Sequence, residues 1–417
     1  MTSILKGMRV VEGSAFVAVP LAGMTLAQMG ADVIRFDRLE GGLDAHRWPV
    51  TATGESLFWA GLNKGKRSVA VNMKSPEGRD LVTRIITAPG EDAGLFLTNL
   101  RVRGWMDHET LSQHRRDLVM VTLMGDREGR PQVDYTVNPA LGFPNATGPV
   151  GFDAPVAHVL PAWDCIAGNL AVTSLLAAER HRLRTGEGQN VELALKDVAA
   201  AMLGHLGIIG EVEINGVDRP KGGNSLYGAY GQDFLTSDSR RIMVIGLTDR
   251  QWRGLVKLTG TADAMAGIEA ETGYDLEREG DRYLARDRIT AALAPWFASR
   301  QSGEIGALFD AAGLTWSEFR SFAEAVREDP DLSPDNPMFE RITQPGIGTY
   351  AVPGTPMTFS AAEREAPVPA PTLGGHTEEV LGDVVGMGDG EIGRLFDDGI
   401  VGGPRPQGIV AGLRKRA

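Results

Sequence analysis

Short apolar runs alternate with amphipathic ones along the first 125 residues. Residues 9–12 read as a strand entering a turn, and 19–29 as a helix ending at Gly30. Two segments, 32–37 (DVIRFD) and 68–73 (SVAVNM), alternate with the period of two that marks strands. Ser75-Pro76 then supplies an N-cap and a first-turn proline for a helix to about Ala88. Residues 93–99 (AGLFLTN) form an apolar strand, Asp107 caps a short helix to His114, and 118–123 is another strand. Apolar strands separated by helices predict a mainly parallel sheet covered on both faces.

The pattern then changes. Residues 126–160 are rich in Gly, Pro, Asn and Asp without a clear period, too long for an idle connection, and predict a segment lining a site. A strong helix starts at Asp164 and ends near Thr185-Gly186, 191–195 is a strand, and Asp197 caps a helix reaching Gly210. A second glycine-rich loop occupies 215–233; a strand at 242–246 and helices near 249–258, 282–298 and 302–312 follow. The Pro- and Asp-rich stretch 329–337 closes this part, and the tail from 345 holds helices near 377–384 and 390–397. The stretch 213–340 reads as a separate smaller α/β domain lying between 1–212 and the tail 341–417.

Composition narrows the function. With 42 basic and 54 acidic side chains the net charge is −12, which argues against a nucleic-acid footprint. A single cysteine, Cys165, excludes an internal disulfide and a thiolate zinc site. The seven histidines are scattered without metal-ligand spacing, so no metal is expected. Glycine is abundant, 53 residues or about 13% against a typical ~7%, with no Gly-X-Y period, which points to turns and close backbone contacts. The uncharged run 13–31 contains Pro20, three glycines and polar residues, and reads as strand end, loop and buried helix rather than a membrane span. Glu12 interrupts any signal-peptide pattern, so a soluble cytoplasmic protein is expected.

Familiar motifs fail. The first strand is followed by 13–18 (GSAFVA), not a dinucleotide fingerprint. The stretch 61–67 (GLNKGKR) lacks P-loop spacing, and 223–228 (GNSLYG) is one residue off a nucleophile elbow. What remains is a set of cations, Arg35, Arg38, Arg47, Lys64, Lys66 and Arg67, with Arg101 and Arg103 after the strand ending at Asn99. On the ligand-binding edge of a parallel sheet they suit a phosphate-bearing ligand as a group, although each alone reads more readily as a solvated surface charge. Asp164 at a helix start serves as an N-cap or as a carboxylate nucleophile beside backbone donors, and periodicity does not choose between these readings.

Segments 10–37 (VVEGSAFVAVPLAGMTLAQMGADVIRFD), 63–78 (NKGKRSVAVNMKSPEG), 164–189 with its RTGEGQ ending, and 373–381 (LGGHTEEVL) resemble class III CoA transferases across nearly the whole chain. The resemblance implies a Rossmann-like large domain built from both chain ends, a smaller middle domain, and an interlocked-ring homodimer. It implies that Asp164 is the nucleophile attacking an acyl-CoA thioester, with coenzyme A brought by the substrate and no further cofactor. It places Phe16, Val17, Ala18, Arg38, Lys66, Asn99, Leu100 and Arg103 against CoA, and Gly222, Gly223 and Asn224 in a loop over the nucleophile. Where the racemase branch of the family carries a His-Asp pair, this chain reads Val133-Asp134; without the imidazole, α-proton transfer is not expected. Further segments, among them VDYTVNPALG, HVLPAWD and LYGAYGQDF, resemble a subgroup that moves CoA between the two carboxyl groups of one mesaconate molecule. Tyr135, Asn138 and Tyr227 lie in loops placed to line that acid's pocket. Transfer to a separate free acid, and acyl-CoA binding without catalysis, are the alternatives.

Overall fold

A computed structural model describes residues 1–404. In chain order, the first elements are β1 (Arg9–Gly13), α1 (Ala18–Gln28), β2 (Asp32–Asp37), α2 (Leu57–Leu62), β3 (Arg67–Val71) and α3 (Pro76–Ile86). Then come β4 (Leu95–Thr98), α4 (His108–His114), β5 (Val119–Met124), α5 (Asp134–Ala140), α6 (Phe143–Ala146), α7 (Ala162–Thr185), β6 (Gln189–Ala194), α8 (Leu195–His205) and α9 (Ile208–Asn215). The next group is β7 (Tyr230–Leu235), β8 (Arg241–Gly246), α10 (Asp249–Thr259), α11 (Ala262–Thr272), α12 (Glu279–Leu284), α13 (Arg286–Ala298), α14 (Ser302–Ala312), β9 (Thr315–Glu318) and α15 (Phe322–Glu328). The last is β10 (Phe339–Gln344), β11 (Gly348–Pro353), α16 (Thr377–Asp383), α17 (Asp389–Asp397) and β12 (Val401–Gly402).

Two compact units emerge: Met1–Leu141 with Val159–Gly210 and the return from Pro330, and Gly142–His158 with Glu211–Asp329. The first is built on a sheet ordered β12-β3-β2-β1-β4-β5-β6, parallel throughout except for β12. Its core strands are buried on both faces, so β4 reads LFLT without alternation. Helix α3 presents Leu81, Val82, Ile85 and Ile86 to this core, and Ser75 caps it by accepting the Gly78 N–H at 3.0 Å. Helices α1 and α7 lie close because Gly168 has no side chain: a Cβ there would stand 2.7 Å from the Ala18 carbonyl oxygen.

The return segment docks on β3. His376 N–H donates to the Ser68 carbonyl at 2.9 Å, and its Nδ1 accepts the Ser68 N–H at 3.2 Å. Burial pushes this imidazole's pKa down, which favours the neutral ring that the accepting nitrogen needs. Thr377 Oγ1 donates to the Gly402 carbonyl at 2.7 Å, tying β12 to the same edge. The end of the return segment, 405–417, lies outside the described residues.

The second unit carries the antiparallel sheet β7-β8-β9. Its core gathers Tyr230, Phe234, Trp252, Phe297 and Phe309, with the Phe234 and Phe297 rings stacked at 4.1 Å. Residues 142–158, expected in the large domain, pack here instead: Gly223 N–H donates to the Gly148 carbonyl at 3.1 Å, and Lys221 reaches the Pro144 carbonyl at 3.3 Å. The chain therefore enters this unit twice. The single helix expected over 197–210 is two, broken where Gly207 takes a φ of 76°. Asp197 lies inside α8 rather than capping it, because Ala194 ends β6 and the helix begins at once. Helix α11 had no clear sequence signal.

Beneath the sheet's carboxyl edge lies a buried lattice of charges. The Arg35 guanidinium, fully buried, meets Asp37 at 2.9 Å, Asp44 at 2.9 Å and the Asn63 side-chain oxygen at 3.0 Å. Lys66 Nζ meets Glu12 at 2.8 Å and also donates to Asn63 and to the Pro20 carbonyl. Burial opposes the Arg35 charge, but Asp37 and Asp44 outweigh it and raise its pKa further. Burial brings Lys66 down to about 8 despite Glu12, and Lys64 beside it also to about 8. Removing one partner from such a lattice leaves uncompensated buried charge. Arg35→Met is expected to cost about 3–5 kcal/mol of stability, read as a lower urea midpoint at unchanged slope. A loss under about 1 kcal/mol would mean the lattice is not structural.

Candidate active site

The strand order reverses between β1 and β4, and in such sheets the crevice beyond the strand ends at that point takes ligands. Two turns meet there. The Asn99 side chain accepts the Ala15 N–H at 2.9 Å and donates to the Ala15 carbonyl at 2.8 Å. Thr98 Oγ1 donates to the Gly13 carbonyl at 2.7 Å. On the other side, Phe16 N–H donates to Asp44 at 3.2 Å. Pinned at both ends, Phe16 holds a φ of 68°, a region that residues with side chains rarely occupy. Its half-exposed ring faces the Arg47 guanidinium, 5.4 Å from the centroid, and Arg47 lies 5.2 Å from the Phe58 ring as well. Val17 precedes α1 and Ala18 begins it; both are buried.

From this turn a cleft of about 560 Å³ runs along the sheet edge. Its floor includes Leu39, Leu100, Val102 and Trp105, and its walls carry Arg38, Lys74, Arg79 and Arg101. Asn99 lines it too. An apolar floor beside four cations fits an elongated ligand with ring and phosphate parts. Arg103 lies in the adjoining depression with Arg101 and His108.

Four of the expected ligand cations are corrected, Lys64 among them, its buried ammonium bonded to the Gly61 carbonyl. Arg35 and Lys66 are committed to buried carboxylates, and Arg67 stands at the beginning of β3, away from the carboxyl edge, bonded to Asp32 at 2.8 Å. Alternation along a strand cannot reveal which cation has a carboxylate across the fold. Lys74 and Arg79, which flank the Ser75-Pro76 helix start, were not singled out from the sequence, though their place after β3 was a usable signal.

Asp164 is the third residue of α7, not its cap. Pro161 precedes the helix and has no polar side chain to offer. The cap comes from elsewhere: Asp134, at the start of α5, accepts the Trp163 N–H at 2.7 Å and the Asp164 N–H at 3.3 Å through one oxygen. Asn138, buried one turn later, accepts the Trp163 indole N–H at 3.2 Å. Its side-chain oxygen is thereby engaged in holding the helix start. The Asp164 carboxyl is left uncommitted to capping. Burial, then the Asp134 charge, push its pKa up to about 6, with Arg47 pulling the other way. Cys165 is pushed up by burial, Asp164 and Asp134, so its thiol stays protonated.

Tyr135 is exposed on α5 beside Asp134. The remaining candidates belong to the second unit. There Gly223 adopts a φ of 59° in the turn of 222–224. The Tyr227 ring stacks under Arg219, 3.9 Å from its centroid, and its hydroxyl is bonded to Glu211. Among the described residues no group of three or more His, Cys, Asp or Glu could hold a metal ion, and no helix is long and apolar enough to cross a membrane.

Comparison with known proteins gives the family. The profile of CoA-transferase family III matches residues 5–377. A 2-methylfumaryl-CoA isomerase of Chloroflexus aurantiacus is 56% identical over 405 residues, covering 97% of this chain and 99% of that protein. A succinate–glutarate CoA-transferase of Agrobacterium fabrum is 28% identical over 91% of this chain and 95% of its own. A CAIB/BAIF family protein from Brucella suis shares the fold, with a TM-score of 0.75 at 23% identity over 92% of this chain and 100% of that one. The chain belongs to CoA-transferase family III.

Proposed function

We propose that this enzyme moves coenzyme A between the two carboxyl groups of one mesaconate molecule, converting 2-methylfumaryl-CoA into 3-methylfumaryl-CoA. The observation that carries the reading is Asp164, a carboxylate of pKa about 6 freed from capping at the start of α7. The 56% identity to a 2-methylfumaryl-CoA isomerase supports this substrate. CoA lies in the cleft, its phosphates beside Arg38, Lys74 and Arg79, its thioester arm passing Asn99 and the turn of Phe16 toward Asp164. Resemblance to the family is what supports a covering role for the loop of Gly222, Gly223 and Asn224 and an interlocked homodimer.

The Asp164 carboxylate attacks the thioester carbonyl, and the C–S bond breaks to give an aspartyl–acyl anhydride and CoA thiolate. Thiolate then attacks the aspartyl carbonyl, forming an aspartyl-CoA thioester and releasing the first carboxylate of mesaconate. The acid stays in place and presents its other carboxylate, which attacks the aspartyl thioester and expels thiolate again. Thiolate attack on the new acyl carbonyl releases product and restores Asp164. Electrons and protons balance without a metal or redox partner. A trapped acid has an effective concentration far above that of a free acceptor, which favours the intramolecular course. The 28% identity to a succinate–glutarate CoA-transferase favours a second reading, transfer to a separate dicarboxylic acid.

Isotope-labelled free mesaconate incubated with unlabelled mesaconyl-CoA separates the two, and little label is expected in the product thioester; substantial label would establish the second reading. Asp164→Asn is expected to lower kcat at least ~10³-fold while CoA binding survives, and hydroxylamine is expected to mark the Asp164 peptide under turnover. An active Asn variant would rule out the mechanism. Because the nucleophile must be ionised, activity in the wild type should rise with pH through about 6 and level off above. Arg38→Ala should raise KM for the acyl-CoA with kcat little changed, and the effect should shrink as salt rises; equal KM at low salt would remove Arg38 from the phosphate site.

A further inference from the structure

Asp134 is a buried ionisable group bonded to the start of α7 that this reaction scheme does not use. It is 1% exposed, and its Oδ2 takes two of the first N–H groups of α7. Those N–H groups ordinarily stabilise an anion at a helix start, through direct bonds and the helix dipole. Here they are occupied by a carboxylate other than the nucleophile. The helix is capped, Trp163 is held through Asn138, and Asp164 remains an anion lying beside another anion.

We infer that Asp134 is a positioning residue for Asp164: by capping α7 from α5 it aims the nucleophile, and by its charge it keeps that carboxylate basic and favours its acylation. The inference rests on the aspartyl mechanism proposed above. Nucleophilic strength rises with basicity, so a carboxylate beside a like charge attacks a thioester faster than an ordinary one once ionised. Acylation then converts Asp164 into a neutral anhydride or thioester, which removes the repulsion with Asp134. The covalent enzyme is thereby favoured over the free one. The charged groups bearing on Asp164 are Asp134 from α5 and Arg47 from the turn after β2, with the neutral thiol of Cys165 on its own helix. Helix α1, packed against α7, carries no ionisable side chain.

The test compares Asp134→Asn, whose side-chain carbonyl can still accept both N–H groups, with Asp134→Ala, which cannot. Thermal unfolding of the Asn variant should stay closer to the wild type than that of the Ala variant. The acid limb of the Asn variant in kcat/KM should move to lower pH by roughly one unit, and its kcat on the alkaline plateau should fall, because a less basic carboxylate is the weaker nucleophile. The steady-state yield of hydroxylamine-marked Asp164 should fall as well. The Ala variant should share the pH shift and lose further kcat through misalignment. If the Asn variant does not fold, Asp134→Glu decides: retained charge should leave the acid limb at its wild-type position while kcat falls. An unmoved acid limb in Asp134→Asn, or a lowered one in Asp134→Glu, overturns the inference. Absence of hydroxylamine marking at Asp164 in the wild type itself would instead overturn the aspartyl mechanism on which it stands.

Discussion

The structure depends first on the pairing of Arg35 with Asp37 and Asp44 beneath the sheet's carboxyl edge. A buried guanidinium is tolerable only when its charge is matched and its N–H groups are bonded. Meeting that demand draws the turn carrying Asp44 down onto the end of β2. The other Asp44 oxygen then takes the Phe16 N–H, so the turn leaving β1 is fixed by the same carboxylate. Lys66 extends the lattice to Glu12 and to the first turn of α1 through the Pro20 carbonyl. The cleft is thus bounded by backbone whose position is set by charge pairing below it, while its own cations face outward.

A second constraint is set on this base. Helix α7 starts after a proline and cannot cap itself, so its first turn depends on α5, an element some thirty residues earlier. This division of labour separates structural capping from chemistry. Asp134 takes the N–H groups; Asp164 keeps its lone pairs. Had Asp164 capped its own helix, the same N–H bonds would have lowered its basicity and turned it away from a substrate. Gly168, one turn on, lets α1 approach closely enough that the Phe16 turn and the helix carrying Asp164 share one neighbourhood.

Most of the architecture was legible before any coordinates. Period-two runs marked the parallel strands, and Ser75-Pro76 and Asp107 marked helix starts where the structure has them. Those signals are local, and local chemistry settles them. The basic stretch NKGKR was less legible. Lys66 and Arg67 read as ligand cations because a sequence shows a charge but not its counter-charge, and their partners Glu12 and Asp32 are 54 and 35 residues away. The cations lining the cleft, Lys74 and Arg79, were passed over because they flank a helix start that seemed already explained.

The linear order of residues determined the alternation of strand and helix, the return of the chain's end to the first unit, and Asp164 as the residue worth attention. The alternation follows from periodicity and turn chemistry, readable within a few positions; the return of the chain's end and the weight on Asp164 come from the resemblance to the family. Only the tertiary structure decided that Asp164 is not a cap, that Asp134 takes that duty, and which arginines and lysines are spent on internal carboxylates. Each of these turns on which groups share a low-dielectric interior. There, proximity across the fold sets bonding and basicity, whatever the separation along the chain.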